Sequence, residues 1–261
     1  MISDEHREEW GQPVSTRRLK GADLRERVLG TAESLLSETG LTVSLDHLNM
    51  EELIRRVGVP RTSTFNEFGG KEGLITALIL KMIRPDESQG AAFSPATIEV
   101  AQRVVSENQY RLIDQSGCDA VLREAIRQGA KQNYDDITSS AYWKTYMALS
   151  VSLPGLPVER RNQVLEMLRL VEGRFIETMS SFYDTLLVVL RRRVRDGFNT
   201  QQIAAAGSAV VEGIAERRFV NPELVDTPVW QVGLDGELVE WHLASIGFLS
   251  VIEGMTEPID E

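Results

Sequence analysis

Leu48 to Leu74 reads LNMEELIRRVGVPRTSTFNEFGGKEGL. Asn49 is a capping residue type, and Glu52 three positions on can reach back to the free amides of a helix start. Gly58 supplies the left-handed backbone that ends a short helix, and Pro60 pre-sets the start of the next. The six residues that follow, Arg61-Thr62-Ser63-Thr64-Phe65-Asn66, are short, polar and rich in hydrogen-bond donors. Gly69 and Gly70 then break the chain before Lys71 opens a third helix. The segment therefore predicts two short helices around a tight turn, with a polar second helix.

Outward from this segment the helical period recurs. Leu24, Val28, Ala32, Leu35, Leu36 and Thr39 fall at three- and four-residue steps, predicting a helix from about 23 to 39 that ends at Gly40. Leu41, Val43, Leu45 and Leu48 can pack the connection into a three-helix core. A helix from about 71 to 83 carries Leu74, Ala77, Leu78 and Lys81 along its inner face and edge. Arg84-Pro85-Asp86-Glu87-Ser88-Gln89-Gly90 breaks it. Further helices are expected at about 96–115, 117–131, 135–152, 157–195, 200–219 and 236–254. Asp235-Gly236 between apolar residues permits a small hairpin; Asp235 as N-cap of the last helix is the preferred reading. Arg191 to Arg195 reads as the solvated end of the 157–195 helix. The expected fold class is all-α: a basic arm over 1–22, a helix-turn-helix head over 23–83 and a larger helical domain over 84–261.

The 261 residues are 42% hydrophobic, enough for a real core. No apolar run reaches the roughly 20 residues that span a bilayer, and MISDEHREEW is no signal peptide. One cysteine, Cys118, excludes an intramolecular disulfide and fits a reducing compartment. A cytoplasmic protein is expected. The formal charge of −11 would repel a polyanion if spread evenly, but it is not. Ser15 to Lys71 holds nine basic and eight acidic residues, a net +1, leaving −12 for the remainder. A small, near-neutral head on an acidic body is compatible with DNA binding of modest non-specific affinity and steep salt dependence.

The N-terminal segment from about Leu24 to Ile79 resembles the TetR family of bacterial transcription regulators. The likeness rests on the opening helix ending at Gly40, AsnMetGluGluLeuIle (49–54), ValGlyVal (57–59), Arg61, Phe65, Phe68 and LysGluGlyLeu (71–74). The resemblance implies an all-helical homodimer, with a DNA-binding head and a C-terminal domain for dimerisation and small-molecule sensing. It places Arg61 to Asn66 in the recognition helix, Phe65 where the family usually has a phosphate-contacting tyrosine, and Lys71 at a helix start whose amides hold phosphate. Phe65 lacks the hydroxyl, Glu67 stands where histidine or another polar residue is common, and Pro60 and Gly70 stand where serine is often found.

On this reading the DNA-contacting residues are Asn49, Arg61, Thr62, Ser63, Thr64, Phe65, Asn66 and Lys71. Thr62 and Ser63 suit phosphates, while Arg61 or Asn66 can make bidentate contacts with guanine or adenine. Thr64 has an inward-facing alternative. Arg17, Arg18 and Lys20 read equally as a solvated tail or as an arm that reaches a minor groove. In the C-terminal part, Tyr142, Trp143, Tyr146 and Met147 recur at helical steps, as do Phe175, Met179, Phe182 and Tyr183. Core packing explains such runs, but a sensor pocket is a mostly apolar cavity between helices. The candidates for lining one are Tyr142, Trp143, Tyr146, Met147, Phe175 and Met179, for an effector that is partly apolar. The apolar helices near 200–219 and 236–254 suit a four-helix interface between two subunits or core packing within one.

His6, His47 and His242 lie far apart without metal-ligand spacing, and no nucleophile elbow, Walker loop or dinucleotide fingerprint occurs. No enzyme, cofactor or metal is expected. The expected partners are an operator in double-stranded DNA, a small-molecule effector and a second copy of the chain, with no membrane. A helical architectural or partner-controlled DNA-binding regulator with no small-molecule effector is the alternative.

Overall fold

The computed structural model describes residues 21–39, 50–83 and 95–259, with the side chains of 36–39 outside that description. The described chain is all-α with two minor two-stranded sheets. It divides into two units, one ending at Leu78 and the other beginning at Ile79.

The first unit contains α1 (Ala22–Thr39), α2 (Met50–Val57), α3 (Arg61–Phe68) and the start of α4 (Lys71–Met82). Leu24, Val28, Leu29, Ala32 and Leu35 make the buried stripe of α1, and Leu53 and Val57 that of α2. Gly58 has φ +72°, and its amide donates to the Ile54 carbonyl at 3.1 Å, so the chain leaves α2 through the left-handed region. Pro60 caps α3 at φ −58°, the angle its ring imposes. At the other end of α3, the Gly69 and Gly70 amides both donate to the Phe65 carbonyl. Gly73 has a steric reason: a Cβ there would lie 1.7 Å from the Phe68 carbonyl oxygen. Only glycine lets α4 begin this close to the end of α3. The Gly40 stop, the Leu41–Leu48 connection and the break after 83 lie outside the described residues.

The second unit is built on α5 (Pro95–Glu107), α6 (Gln115–Ser139), α7 (Ala141–Ser152), α8 (Val158–Val189), α9 (Thr200–Arg218), α10 (Pro222–Asp226) and α11 (Leu243–Met255). Asp114, Ser140 and Asn199 each accept an amide three residues on, and Gln202 returns the bond to complete a capping box on α9. Val121, Leu122 and Ile126 of α6, Phe175, Met179 and Tyr183 of α8, Ile203 of α9 and Leu249 and Ile252 of α11 share one core. A second core joins Tyr134, Ile137, Trp143, Val211, Ala215, Val225 and Ala244. Much of the apolar surface expected to join two subunits is thus buried within one chain: Ile203, Val211, Trp241, Leu249 and Ile252 are each at most 6% exposed.

Four expected boundaries differ, the first being the helix expected over 96–115, which stops at Glu107 and is followed by a single 3-10 turn at Gln109–Arg111. The helix expected to start near 236 begins at Leu243; before it, β2 (Val229–Val232) and β3 (Leu238–Trp241) form an antiparallel hairpin pairing Val229 with Trp241 and Val232 with Leu238. Its turn places Gly236 at φ +88°, and the branched and aromatic residues on either side favour extended backbone. Asp235 pairs with Arg111, and His242 caps α11 by accepting the Ala244 amide at 3.1 Å.

The 157–195 helix stops at Val189. Arg192–Val194 is strand β1, paired with β4 (Thr256–Pro258), and Arg192 is buried against Asp119 and Thr256. Strand alternation turns Arg192 inward and Arg193 outward to Glu257, which an unbroken basic run does not reveal. Finally, α6 runs unbroken across the gap expected near 131–135 and ends at Ser139, with Ser140 capping both its end and the start of α7.

Candidate DNA interface and effector cavity

In the first unit, helical spacing sorts α3 into two faces. Thr64 and Phe68, four apart, are buried; Arg61, Thr62 and Asn66 are exposed, with Ser63 and Phe65 half-buried beside them. Thr64 is 0% exposed, so it belongs to the core of the head and not to the outward face. The Arg25 guanidinium lies 4.8 Å over the Phe68 ring, which holds α1 against the inner side of α3. On the outer side, Arg61 sits 5.2 Å over the Phe65 ring, and its Nη1 is 2.5 Å from Glu51 Oε1 on α2. Arg55 and Arg56 both donate to Glu52, at 2.6 to 2.8 Å, and these hydrogen bonds hold its carboxyl below the usual range. Lys71 is the first residue of α4 and is half-buried. Asn49, Arg17, Arg18 and Lys20 lie outside the described residues.

The arrangement presents a short helix by two parallel rows, Arg61–Phe65 and Thr62–Asn66, with a buried row behind to fix its roll. That is what major-groove insertion needs: donors outward, apolar groups inward and a turn that sets the angle to the preceding helix. The sequence did not single out Glu51 as the partner of Arg61. The pair spans ten positions and two helices, so no helical period connects them.

In the second unit, a cavity of about 60 Å³ opens between α5, α6, α8, α9 and α11. Phe175 and Met179 line it, together with Thr97, Tyr183, Phe182 and Phe248. The other four candidates sit elsewhere in the same unit. Tyr142 donates to the Ile83 carbonyl at 2.8 Å, and burial pushes its hydroxyl up to about 12. Trp143 is packed in the second core, with Met147 against it. Tyr146 donates to Glu172 Oε2 at 2.9 Å, and burial followed by that carboxylate pushes its hydroxyl up. Near the same glutamate, Glu212 of α9 is pushed up to about 7, first by burial and then by the Glu172 charge. Part of the lining is small: Ala101, Ala125 and Gly129 carry little or no side chain, and Gly207 lies under the Phe248 ring. Absence of side-chain bulk gives no pattern to recognise along a chain.

Among the described residues no group of three or more His, Cys, Asp or Glu could hold a metal ion. No described helix is long and apolar enough to cross a membrane. Tyr134, Arg218 and His242 gather around Asp226: Tyr134 donates at 2.8 Å and Arg218 at 2.7 Å, while His242 Nε2 stands 3.6 Å away without a hydrogen bond. This group ties α6, α9 and α10 to the start of α11. Burial holds the His242 imidazole below its ordinary value, so it is neutral near pH 7.

No family model matches the chain, and no curated protein matches it. Among solved structures, a protein of unknown function from Rhodococcus sp. RHA1 is 18% identical, over 92% of this chain and 98% of that one, with a TM-score of 0.47. E. coli NemR in its reduced form is 15% identical, over 90% and 98%, with a TM-score of 0.47. NalD, the secondary repressor of the MexAB-OprM multidrug efflux pump in Pseudomonas aeruginosa, is 19% identical, over 89% and 96%, with a TM-score of 0.43. Each is similar to this chain at a level that leaves its residue roles unassigned.

Proposed function

We propose that this chain is a TetR-like, ligand-responsive transcription regulator, a cytoplasmic repressor that binds a palindromic operator as a homodimer and is released by a small molecule. The head, 23–83, reads DNA, and residues 84–261 sense the effector and pair two copies. The observation that carries this reading is the division of α3 into a buried Thr64–Phe68 row and an outward row of Arg61, Thr62 and Asn66. A helix of two turns with this division has little use as core and fits a major groove.

Arg61 and Asn66 then read base edges, Thr62 and Ser63 bind phosphates, and Phe65 packs on sugar or a thymine methyl. Lys71 and the amides at the start of α4 hold a further phosphate, where the helix dipole favours an anion. Asn49 and the arm residues Arg17, Arg18 and Lys20 add contacts flanking the groove. A dimer places two such helices one helical turn of DNA apart. Effector in the C-terminal unit favours a state whose heads are wrongly spaced, so DNA and effector oppose each other by the same factor in both directions.

Selection of bound fragments from random DNA tests this. A symmetric consensus with half-sites about 10 base pairs apart is expected. Recovery of no enriched sequence at low salt would remove the reading.

A further inference from the structure

We infer that the cavity between α5, α6, α8, α9 and α11 takes a small, uncharged, mostly apolar molecule with one oxygen acceptor, bound by the unpaired hydroxyls of Thr97 and Tyr183. The inference rests on the reading that this unit senses a small molecule, and it specifies the chemistry of that molecule.

Two side chains carry it. Thr97 is 9% exposed, and its Oγ1 has no hydrogen-bond partner. Tyr183 is 7% exposed and lines the same cavity, and among the described residues its hydroxyl makes no hydrogen bond; burial pushes that hydroxyl up. Buried polar groups are nearly always paired, because an unpaired one forfeits its hydration. One such atom, Thr97 Oγ1, in the same wall as the Tyr183 hydroxyl is explained by a partner that enters from outside. Ser208, a third hydroxyl of the wall, already donates to the Ala205 carbonyl at 3.1 Å.

The rest of the lining limits what can enter. Among the described residues no Asp, Glu, Lys, Arg or His lines the cavity, so a charged ligand would lose its hydration and meet no opposite charge there. The walls are otherwise mainly alkyl and aromatic. Size sets a further condition: about 60 Å³ is well below the roughly 150 Å³ that holds a benzene ring. A ring-sized ligand must therefore move a wall. Asn133, Phe182, Leu186, Ser208 and Phe248 are the half-buried members, and Phe248 lies so close over Gly207 that a Cβ there would sit 2.2 Å from its ring. Phe248 is the group that swings.

Three probes of similar size separate the requirements: acetophenone, ethylbenzene and 1-phenylethylammonium, each titrated into the full chain by calorimetry. Acetophenone should bind roughly tenfold more tightly than ethylbenzene, the worth of about one hydrogen bond, and the ammonium should not bind measurably. Thr97→Val and Tyr183→Phe should each reduce that tenfold preference while leaving ethylbenzene unchanged. The wild-type comparison stands even where a variant folds poorly. Binding of the ammonium as tightly as acetophenone, equal binding of acetophenone and ethylbenzene, or no binding of any probe would overturn the inference. A parallel DNA-release assay separates the two readings. Hydroxyl-dependent acetophenone binding with no effect on DNA leaves the ligand class standing and removes the regulator. Sequence-specific DNA binding with no neutral probe bound does the reverse.

Discussion

Arg61 Nη1 lies 2.5 Å from Glu51 Oε1, joining the start of α3 to the start of α2 across the turn. The side chains are 62% and 74% exposed, so water and salt screen the pair and it adds little to folding. The pair's consequence is for binding. Glu51 orients Arg61 over Phe65 in the free protein and must release it, or share it, when a base edge competes.

Replacing Arg61 should therefore act on recognition and hardly on stability. Arg61→Ala is expected to weaken operator binding by about 1–3 kcal/mol and relax the sequence preference at one base. Glu51→Gln removes an exposed carboxylate from the outer side of the proposed DNA-reading face and should tighten binding to all sequences by a few-fold. Fluorescence anisotropy at fixed salt, with specific and scrambled duplexes, measures both. Equal affinities for wild type and Arg61→Ala would remove Arg61 from the interface.

Gly73→Ala puts a methyl group 1.7 Å from the Phe68 carbonyl oxygen, a position no small adjustment relieves. The head should lose at least about 2 kcal/mol and DNA binding with it. Gly173→Ala is the opposite case, since a Cβ there meets nothing within 4 Å and the residue is mid-helix in α8. It should stabilise by about 0.5–1 kcal/mol through helix propensity. Urea unfolding of the two variants should move in opposite directions.

Glu212 imposes a pH dependence. Its folded value is raised from 4.5 to about 7, so the folded chain keeps a proton that the unfolded chain releases. The associated stability is complete below about pH 4.5 and lost as pH rises through 7. Glu212→Gln should match wild type near pH 5 and exceed it by about 2 kcal/mol at pH 8. A constant difference at both pH values would contradict the burial of this carboxyl beside Glu172.

Arg192 is 7% exposed and bonded to Asp119 at 2.8 Å and to Thr256 Oγ1 and carbonyl at 3.1 and 3.3 Å. Arg192→Ala leaves the buried Thr256 carbonyl and hydroxyl without these donors and opens a cavity between α6 and the β1–β4 pair. A loss of about 2–4 kcal/mol is expected by thermal or chemical unfolding. Arg193→Ala, on the opposite side of the strand, should cost under about 1 kcal/mol.

Legibility in the sequence followed the range of the forces involved. Gly58, Pro60 and Gly69 act on their own backbone and their nearest neighbours, so the turn and the ends of α2 and α3 could be read where they stand. The stripe from Leu24 to Leu35 was readable because burial repeats with the helical turn. Phe175 and Met179, four apart on one helix, were picked out for the same reason. Tyr142 and Tyr146 show the same spacing, yet their hydroxyls go to Ile83 and Glu172, because spacing gives a face and not what the face meets.

The amino-acid order alone determined a helical chain with a polar second helix after a tight turn, since those features arise from residues within one or two turns of one another. Only the tertiary structure decided that Arg61 is held by Glu51, that Arg192 goes inside, that the 229–241 segment turns back on itself, and that Thr97, Tyr183 and Phe248 meet around a gap. Each of these depends on packing between segments far apart in the chain. There the deciding quantity is the fit of side-chain volumes and partners in space, which no local period encodes.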